Sequence, residues 1–197
     1  MQKQQKLKKH SGNPSFLALR PADTAETCVA WKMALENTKS PTGLILSRQG
    51  IKDLVAIGTS RYNEALASEK GGYLVKEVEN PDIVLIANGS EVATLVVASE
   101  ILESENGLKV SIASIISEGL FKLQSKVYQD RIIPKNEPLF GLTAGLPVNL
   151  EGLVGDQGKV FGLDHFGYSA PATVLDNKFG FTGEKVSKEV IEYLKTV

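Results

Sequence analysis

Asp82-Ile83-Val84-Leu85-Ile86-Ala87-Asn88-Gly89-Ser90-Glu91 is the stretch on which the fold turns. The unbroken apolar run from Ile83 to Ala87 reads as a central strand of a sheet. Asn88-Gly89-Ser90-Glu91 then makes a tight turn into a helix whose Val92, Leu95, Val96 and Leu102 share one face, and Gly107 ends that helix. A strand, a tight turn and an amphipathic helix in this order form the repeating unit of an α/β sheet.

Downstream the alternation continues. Lys109–Ile115 reads as a strand, Glu118–Ile132 as mostly helix, Leu139–Leu142 as a strand, and the residues around Asn149–Val154 as a helix. Val160-Phe161-Gly162-Leu163 is the last strand. Thr182-Gly183-Glu184 opens a terminal helix with Val186, Val190 and Leu194 facing inward. Upstream, Tyr73-Leu74-Val75 adds one more strand. Residues 73–197 are therefore expected to form a three-layer, Rossmann-like α/β domain with a mostly parallel sheet.

Residues 50–72 are punctuated by Gly58, Ser60, Ser68, Gly71 and Gly72 and read as a linker. Before them lies a smaller unit. Phe16-Leu17-Ala18-Leu19 is a short strand, and Asp23 with Glu26 forms a capping-box pattern. Cys28, Trp31 and Leu35 follow as an apolar stripe at helical spacing. Gly43-Leu44-Ile45-Leu46 reads as a second strand, buried on both faces. Residues 16–49 thus make one parallel β-α-β unit. Such a unit is too small to cover both faces of its own sheet, so it either joins the later sheet or is the tail of a domain whose body lies elsewhere.

The 197 residues carry 42% hydrophobic residues and a net charge of −1, as expected for a soluble globular protein. No run approaches the roughly 18 consecutive apolar residues of a membrane span, and the N-terminus lacks the apolar core of a secretion signal. A cytoplasmic location is the expectation. Cys28 is the sole cysteine, which excludes an internal disulfide, and two histidines give no basis for a protein-built zinc site. Residues 1–15 hold Lys3, Lys6, Lys8, Lys9 and His10 with no acidic residue, and are expected to be a disordered basic arm. With no aromatics interleaved for stacking, the arm reads as a solvated tail, and neither nucleic acid nor a membrane is expected as a partner.

Four places could carry chemistry. Arg48 is one of four arginines against 18 lysines, and it stands in Ser47-Arg48-Gln49 at the carboxyl end of a strand, where open parallel sheets bind ligands. Its planar fork suits phosphate or carboxylate oxygens. The competing reading is a strand-end arginine paired with a neighbouring carboxylate. Asn88-Gly89-Ser90-Glu91 stands where a doubly wound sheet would hold a phosphate, but it has one glycine of the three in a dinucleotide fingerprint, and a β-α turn accounts for it. Gly155-Asp156-Gln157-Gly158 with Asn177 partly matches a magnesium-diphosphate signature. Gln157 replaces the glycine needed there, and a surface turn is the simpler reading. His165-Phe166-Gly167-Tyr168-Ser169-Ala170-Pro171 follows the last strand and pairs a histidine with a serine. It has no nucleophile elbow, and reads as a packing or interface loop.

Taken in order, Phe16-Leu-Ala-Leu-Arg-Pro-Ala-Asp23, Leu46-Ser-Arg-Gln49, Gly71-Gly-Tyr73, Asn88-Gly-Ser-Glu91, Phe166-Gly-Tyr-Ser-Ala-Pro171 and Phe179-Gly-Phe-Thr182 resemble the C-terminal part of the transketolase family. Gly141-Leu-Thr-Ala-Gly-Leu-Pro147 looks like a bacterial branch of it. The resemblance implies an enzyme using thiamine diphosphate and magnesium to move a two-carbon ketol unit between sugar phosphates. Family members have three α/β domains and work as homodimers. The cofactor lies between the first domain of one subunit and the second of the other.

By this resemblance, residues 16–49 match the end of the second, pyrimidine-binding domain and 73–197 the third domain. The magnesium signature, the glutamate that activates the cofactor's aminopyrimidine, the aromatic residues that hold its ring and the active-site histidines have no counterpart here. Arg48 matches the arginine that binds the substrate phosphate. It is the one site residue carried over, and no catalytic, cofactor or metal residue is expected in the chain. The chain is expected to be a C-terminal fragment or split subunit, inactive alone, and partnered either in a homodimer or with a chain carrying the missing domains. The basic arm matches nothing in the family, which suggests a truncation, a split gene or a frameshifted start. The alternatives are a non-catalytic Rossmann-like interaction or dimerisation module, or the equivalent domain of a related thiamine diphosphate enzyme.

Overall fold

The computed structural model describes residues 15–197, and the basic arm, apart from its last residue Ser15, lies outside them. In the larger part, β3 (Tyr73–Lys76), β4 (Ile83–Ala87), β5 (Val110–Ser114), β6 (Leu139–Leu142) and β7 (Lys159–Phe161) form a sheet in the order β3-β5-β4-β6-β7. All neighbouring pairs are parallel except β3 with β5. The chain goes from β4 to β5 on one side and then to β6 on the other. The order therefore reverses at β4 and opens a crevice beyond its carboxyl end.

Period-two alternation along β4 divides the core. Ile83, Leu85 and Ala87 pack with Val92, Leu95 and Leu102 of α3 (Glu91–Asn106) and with Val186 and Val190 of α8 (Gly183–Leu194). Val84 and Ile86 face the other way, toward Phe121 of α4 (Glu118–Phe121), Ile132 of α5 (Lys126–Ile132) and Val154 of α6 (Val148–Val154). Every residue of β4 and β5 is buried. At roughly 1.5–3 kcal/mol for each large apolar side chain removed from water, these two strands hold the domain together. Gly107 ends α3 in the left-handed conformation (φ 68°), with its N–H donating to Glu103 and Leu102 carbonyls. The three-layer α/β fold with a mostly parallel sheet is as expected.

The smaller part is a separate two-stranded parallel sheet, β1 (Leu17–Leu19) with β2 (Thr42–Leu44), joined by α1 (Thr24–Glu36). Two readings are corrected here. The apolar run Leu44-Ile45-Leu46 is not a strand buried on both faces: β2 ends at Leu44, each of its residues is half-buried, and Leu46 is 52% exposed. With one partner strand, β2 has no second sheet neighbour among the described residues. Nor do Cys28, Trp31 and Leu35 face the core; Trp31 is 52% and Leu35 77% exposed, and Cys28 is exposed too. The inward face of α1 carries Glu26, Val29 and Ala30 instead.

The cause is polar. Asp23 caps α1 by accepting the Glu26 N–H (2.8 Å), and both carboxylates are drawn onto Arg61, which pairs with Asp23 Oδ2 at 2.6 Å and Glu26 Oε1 at 3.3 Å. The Tyr73 hydroxyl donates to Glu26 Oε1 (2.9 Å), and Arg61 donates in turn to that hydroxyl (2.5 Å). Arg61 belongs to α2 (Arg61–Ala65), which a 3₁₀ turn (Leu66–Lys70) follows inside the stretch read as a linker. One arginine thus ties the β-α-β unit, the connecting stretch and the first strand of the larger sheet together.

Candidate functional site

The carboxyl ends of β2, β4 and β6 converge on one side of the molecule. A crevice of about 440 Å³ runs between the two parts, with Ile45 and Leu46 on one wall and Asn88, Gly89, Thr143 and Gly145 on the other. A wider cleft of about 920 Å³ adjoins it, bounded by Ser47, Arg48, Thr94, Tyr168, Ser169 and Asp176. The strand-end rule that singled out Ser47-Arg48-Gln49 therefore places it on the rim of a cavity.

Arg48 is exposed and makes no ion pair or hydrogen bond to another described residue. The Ser47 hydroxyl donates to the Gln49 carbonyl (3.0 Å), folding the chain into a tight bend with Arg48 at its tip. The competing reading, a neighbouring carboxylate that pins Arg48, finds no such partner among the described residues. Across the cleft, Asp176 is raised above its ordinary value, chiefly by burial and then by the charge of Glu91.

The other sequence candidates separate. Asn88-Gly89-Ser90-Glu91 holds a side chain of the protein itself: Arg20 donates to the Asn88 carbonyl (3.0 Å) and to Asn88 Oδ1 (2.5 Å), and forms an ion pair with Glu91. Asp156 is exposed on the turn after α6, whereas Asn177 donates to the Thr173 carbonyl on α7 (Ala172–Phe179). They do not form one site. His165 and Ser169 are both exposed; the imidazole Nδ1 lies 2.8 Å from the Phe166 carbonyl oxygen, and its ring packs on Phe179 and Tyr168. That loop leaves Phe166 98% exposed. Arg20 escaped the sequence reading because its partners lie 68 and 71 residues further along the chain. The signal that could have raised it was its place directly after β1, the same strand-end rule that singled out Arg48.

Among the described residues no three histidine, cysteine, aspartate or glutamate side chains are grouped to hold a metal ion. The crevice at the strand-order reversal is also crossed by Arg20. This part of the chain does not by itself fit a metal-bound diphosphate cofactor.

Comparison with known proteins places this geometry. Residues 71–182 match the family model described as the transketolase-like C-terminal domain. The transketolase of Geobacillus stearothermophilus is 37% identical over 176 residues, which is 88% of this chain and 26% of the relative. The chain thus spans about a quarter of that relative's length. The Pichia stipitis transketolase solved in complex with sedoheptulose-7-phosphate superimposes with a TM-score of 0.82 at 31% identity, covering 93% of this chain and 26% of that one. A split-gene transketolase described as an inactive β4 tetramer shares the fold, with a TM-score of 0.67 at 20% identity over 92% of this chain and 59% of its own. The family model covers more than half of the residues, including all but the last helix of the larger α/β domain, and on that match the chain belongs to the transketolase family.

Proposed function

We propose that this chain serves as the C-terminal part of a transketolase, which transfers a two-carbon ketol unit between sugar phosphates, and that Arg48 binds the substrate phosphate. One observation carries the reading: an exposed guanidinium without a counter-ion among the described residues stands four residues beyond the end of β2, on the rim of a cleft of about 920 Å³. A bidentate contact there would position a phosphorylated sugar without taking part in bond making.

The cofactor would supply the carbanion chemistry of ketol transfer from other domains of the complete enzyme. Those domains would come from a partner chain or from a longer polypeptide in a homodimer, acting in the cytoplasm. In this arrangement residues 16–49 complete the pyrimidine-binding domain and 73–197 form the third domain. The chain alone would be inactive. The test is reconstitution: mixed with a polypeptide supplying the missing domains, thiamine diphosphate and magnesium, the chain restores ketol transfer between sugar phosphates. Calorimetric binding of the cofactor to the chain alone at micromolar concentration would overturn the reading.

A non-catalytic interaction module is the second reading. The 98% exposure of Phe166, in a loop that also leaves Tyr168 62% exposed, favours it. Stable self-association of the chain, with no gain of activity on reconstitution, would decide for it.

A further inference from the structure

We propose that Arg20 is a positioning residue: it ties the strand end that carries Arg48 to the larger domain, so that this domain sets where the phosphate-binding arginine stands. The inference rests on the reading of Arg48 given above and assigns a task to a domain that offers no metal-binding group of its own.

The backbone of Arg20 is inserted between two turns of the larger domain. Its N–H donates to the Ile116 carbonyl beyond β5 (2.9 Å), and its carbonyl accepts from Gly89 N–H beyond β4 (3.1 Å). One residue earlier, the Leu19 carbonyl accepts from Ile45 N–H (2.8 Å), which fixes the exit of β2 three residues before Arg48. A short chain of hydrogen bonds therefore runs from the larger sheet through Arg20 and Leu19 to the Arg48 bend.

The side chain crosses the crevice to Asn88 and to Glu91, which is 5% exposed and whose second oxygen accepts from the Ser90 hydroxyl (2.7 Å). Gly89 makes room for it. A Cβ there would lie 2.8 Å from Arg20 Nε and 2.9 Å from Cζ, and its φ of 63° also favours glycine. An apolar side chain would serve stability as well as a buried ion pair does. What the arginine adds is direction, because one nitrogen, Nη1, meets both Asn88 and Glu91. The apolar contact behind it is small, with Leu17, Leu19 and Ala30 meeting Ile116.

Hydrogen exchange on the full 197-residue chain tests the tie without substrate. Arg20→Ala should speed exchange of the amides at 17–19 and 42–45 by roughly tenfold or more, as expected for a lost charge-assisted pair, while those of Ile83–Ala87 and Val110–Ser114 stay as slow as before. Glu91→Gln, which keeps the size of the partner, should give the same pattern, so the test survives if the alanine variant folds poorly. Arg20→Lys should recover only part of the protection. Unchanged exchange at 42–45, or equal acceleration everywhere, overturns the proposal.

In the reconstituted enzyme Arg20→Ala should raise KM for sugar phosphates by roughly three- to tenfold with little change in kcat, and add nothing in an Arg48→Ala background. Additive effects of the two substitutions would make Arg20 merely structural. If Arg48→Ala shows no preference for phosphorylated substrates, the functional reading fails instead, and the exchange pattern alone decides whether Arg20 is the tie.

Discussion

The two α/β parts of this chain solve the same packing problem differently. In the larger one, β4 and β5 are buried throughout, and helices cover both faces of the sheet. In the smaller one, the strands have one neighbour each, and Trp31, Leu35, Leu46, Val55 and Ile57 lie open within it or in the connecting stretch. The larger part rests on apolar burial. The smaller adds to a small apolar cluster of Leu17, Leu19, Ala30 and Ile116 the ties of two arginines, Arg61 on Asp23 and Glu26 and Arg20 on Asn88 and Glu91. A unit tied by directional polar contacts can be set at a defined angle while its apolar surface remains available to other domains.

The strongest way to break this contrast is Arg61→Ala. It leaves the buried carboxylates of Asp23 and Glu26 without their cation, and removing one partner of a buried pair costs about 3–5 kcal/mol. The loss should fall on residues 16–72, read as protease sensitivity there with β4 and β5 intact. Leu85→Ala, in contrast, should cost about 2–5 kcal/mol and lower the cooperative unfolding of the whole larger domain, seen in a denaturant titration.

A smaller effect comes from Glu26. Burial raises its carboxyl above the ordinary 4.5, outweighing the hydrogen bonds from the Ala22 N–H and the Tyr73 hydroxyl. Folding therefore takes up a proton at this group. The stability it contributes is complete below about pH 4.5 and is lost as pH rises through the raised folded value. Glu26→Gln should remove that decline, measured by unfolding at a series of pH values from about 4 to 7. An identical pH dependence in both chains would contradict it. Smallest of all should be Trp31→Ser: on a face already half open, the change in stability of the chain alone should stay within about 0.5 kcal/mol. A loss comparable with that of Leu85→Ala would mean that the face is covered after all.

How much of this could be read beforehand follows the same division. Ile83 to Ala87 and the helix after it were legible because a strand covered on both sides leaves an unbroken apolar run. Leu44-Ile45-Leu46 gave the same run, but a sequence does not record whether a neighbour is there to cover it. The Cys28, Trp31 and Leu35 stripe has helical spacing and lies on the open side, because Asp23 and Glu26, held by Arg61 and Tyr73, bring the face with Glu26, Val29 and Ala30 inward. Helix α7 went unread: it sits behind a Gly- and Pro-punctuated loop, and none of its residues is buried. Arg48 was found by its place at a strand end. Arg20 and Arg61 were missed because their partners are distant in sequence.

The measurement that bears most directly on the central claim is the substrate dependence of Arg48→Ala in the reconstituted enzyme. Loss of a charge-assisted phosphate contact worth roughly 1.5–3 kcal/mol should lower kcat/KM for sugar phosphates about 10- to 150-fold, and Arg48→Lys should recover part of it. A short unphosphorylated ketol donor such as hydroxypyruvate, followed in its half-reaction alone, should be nearly unaffected. Equal losses on phosphorylated and unphosphorylated substrates would contradict the account and leave Arg48 with a structural role only.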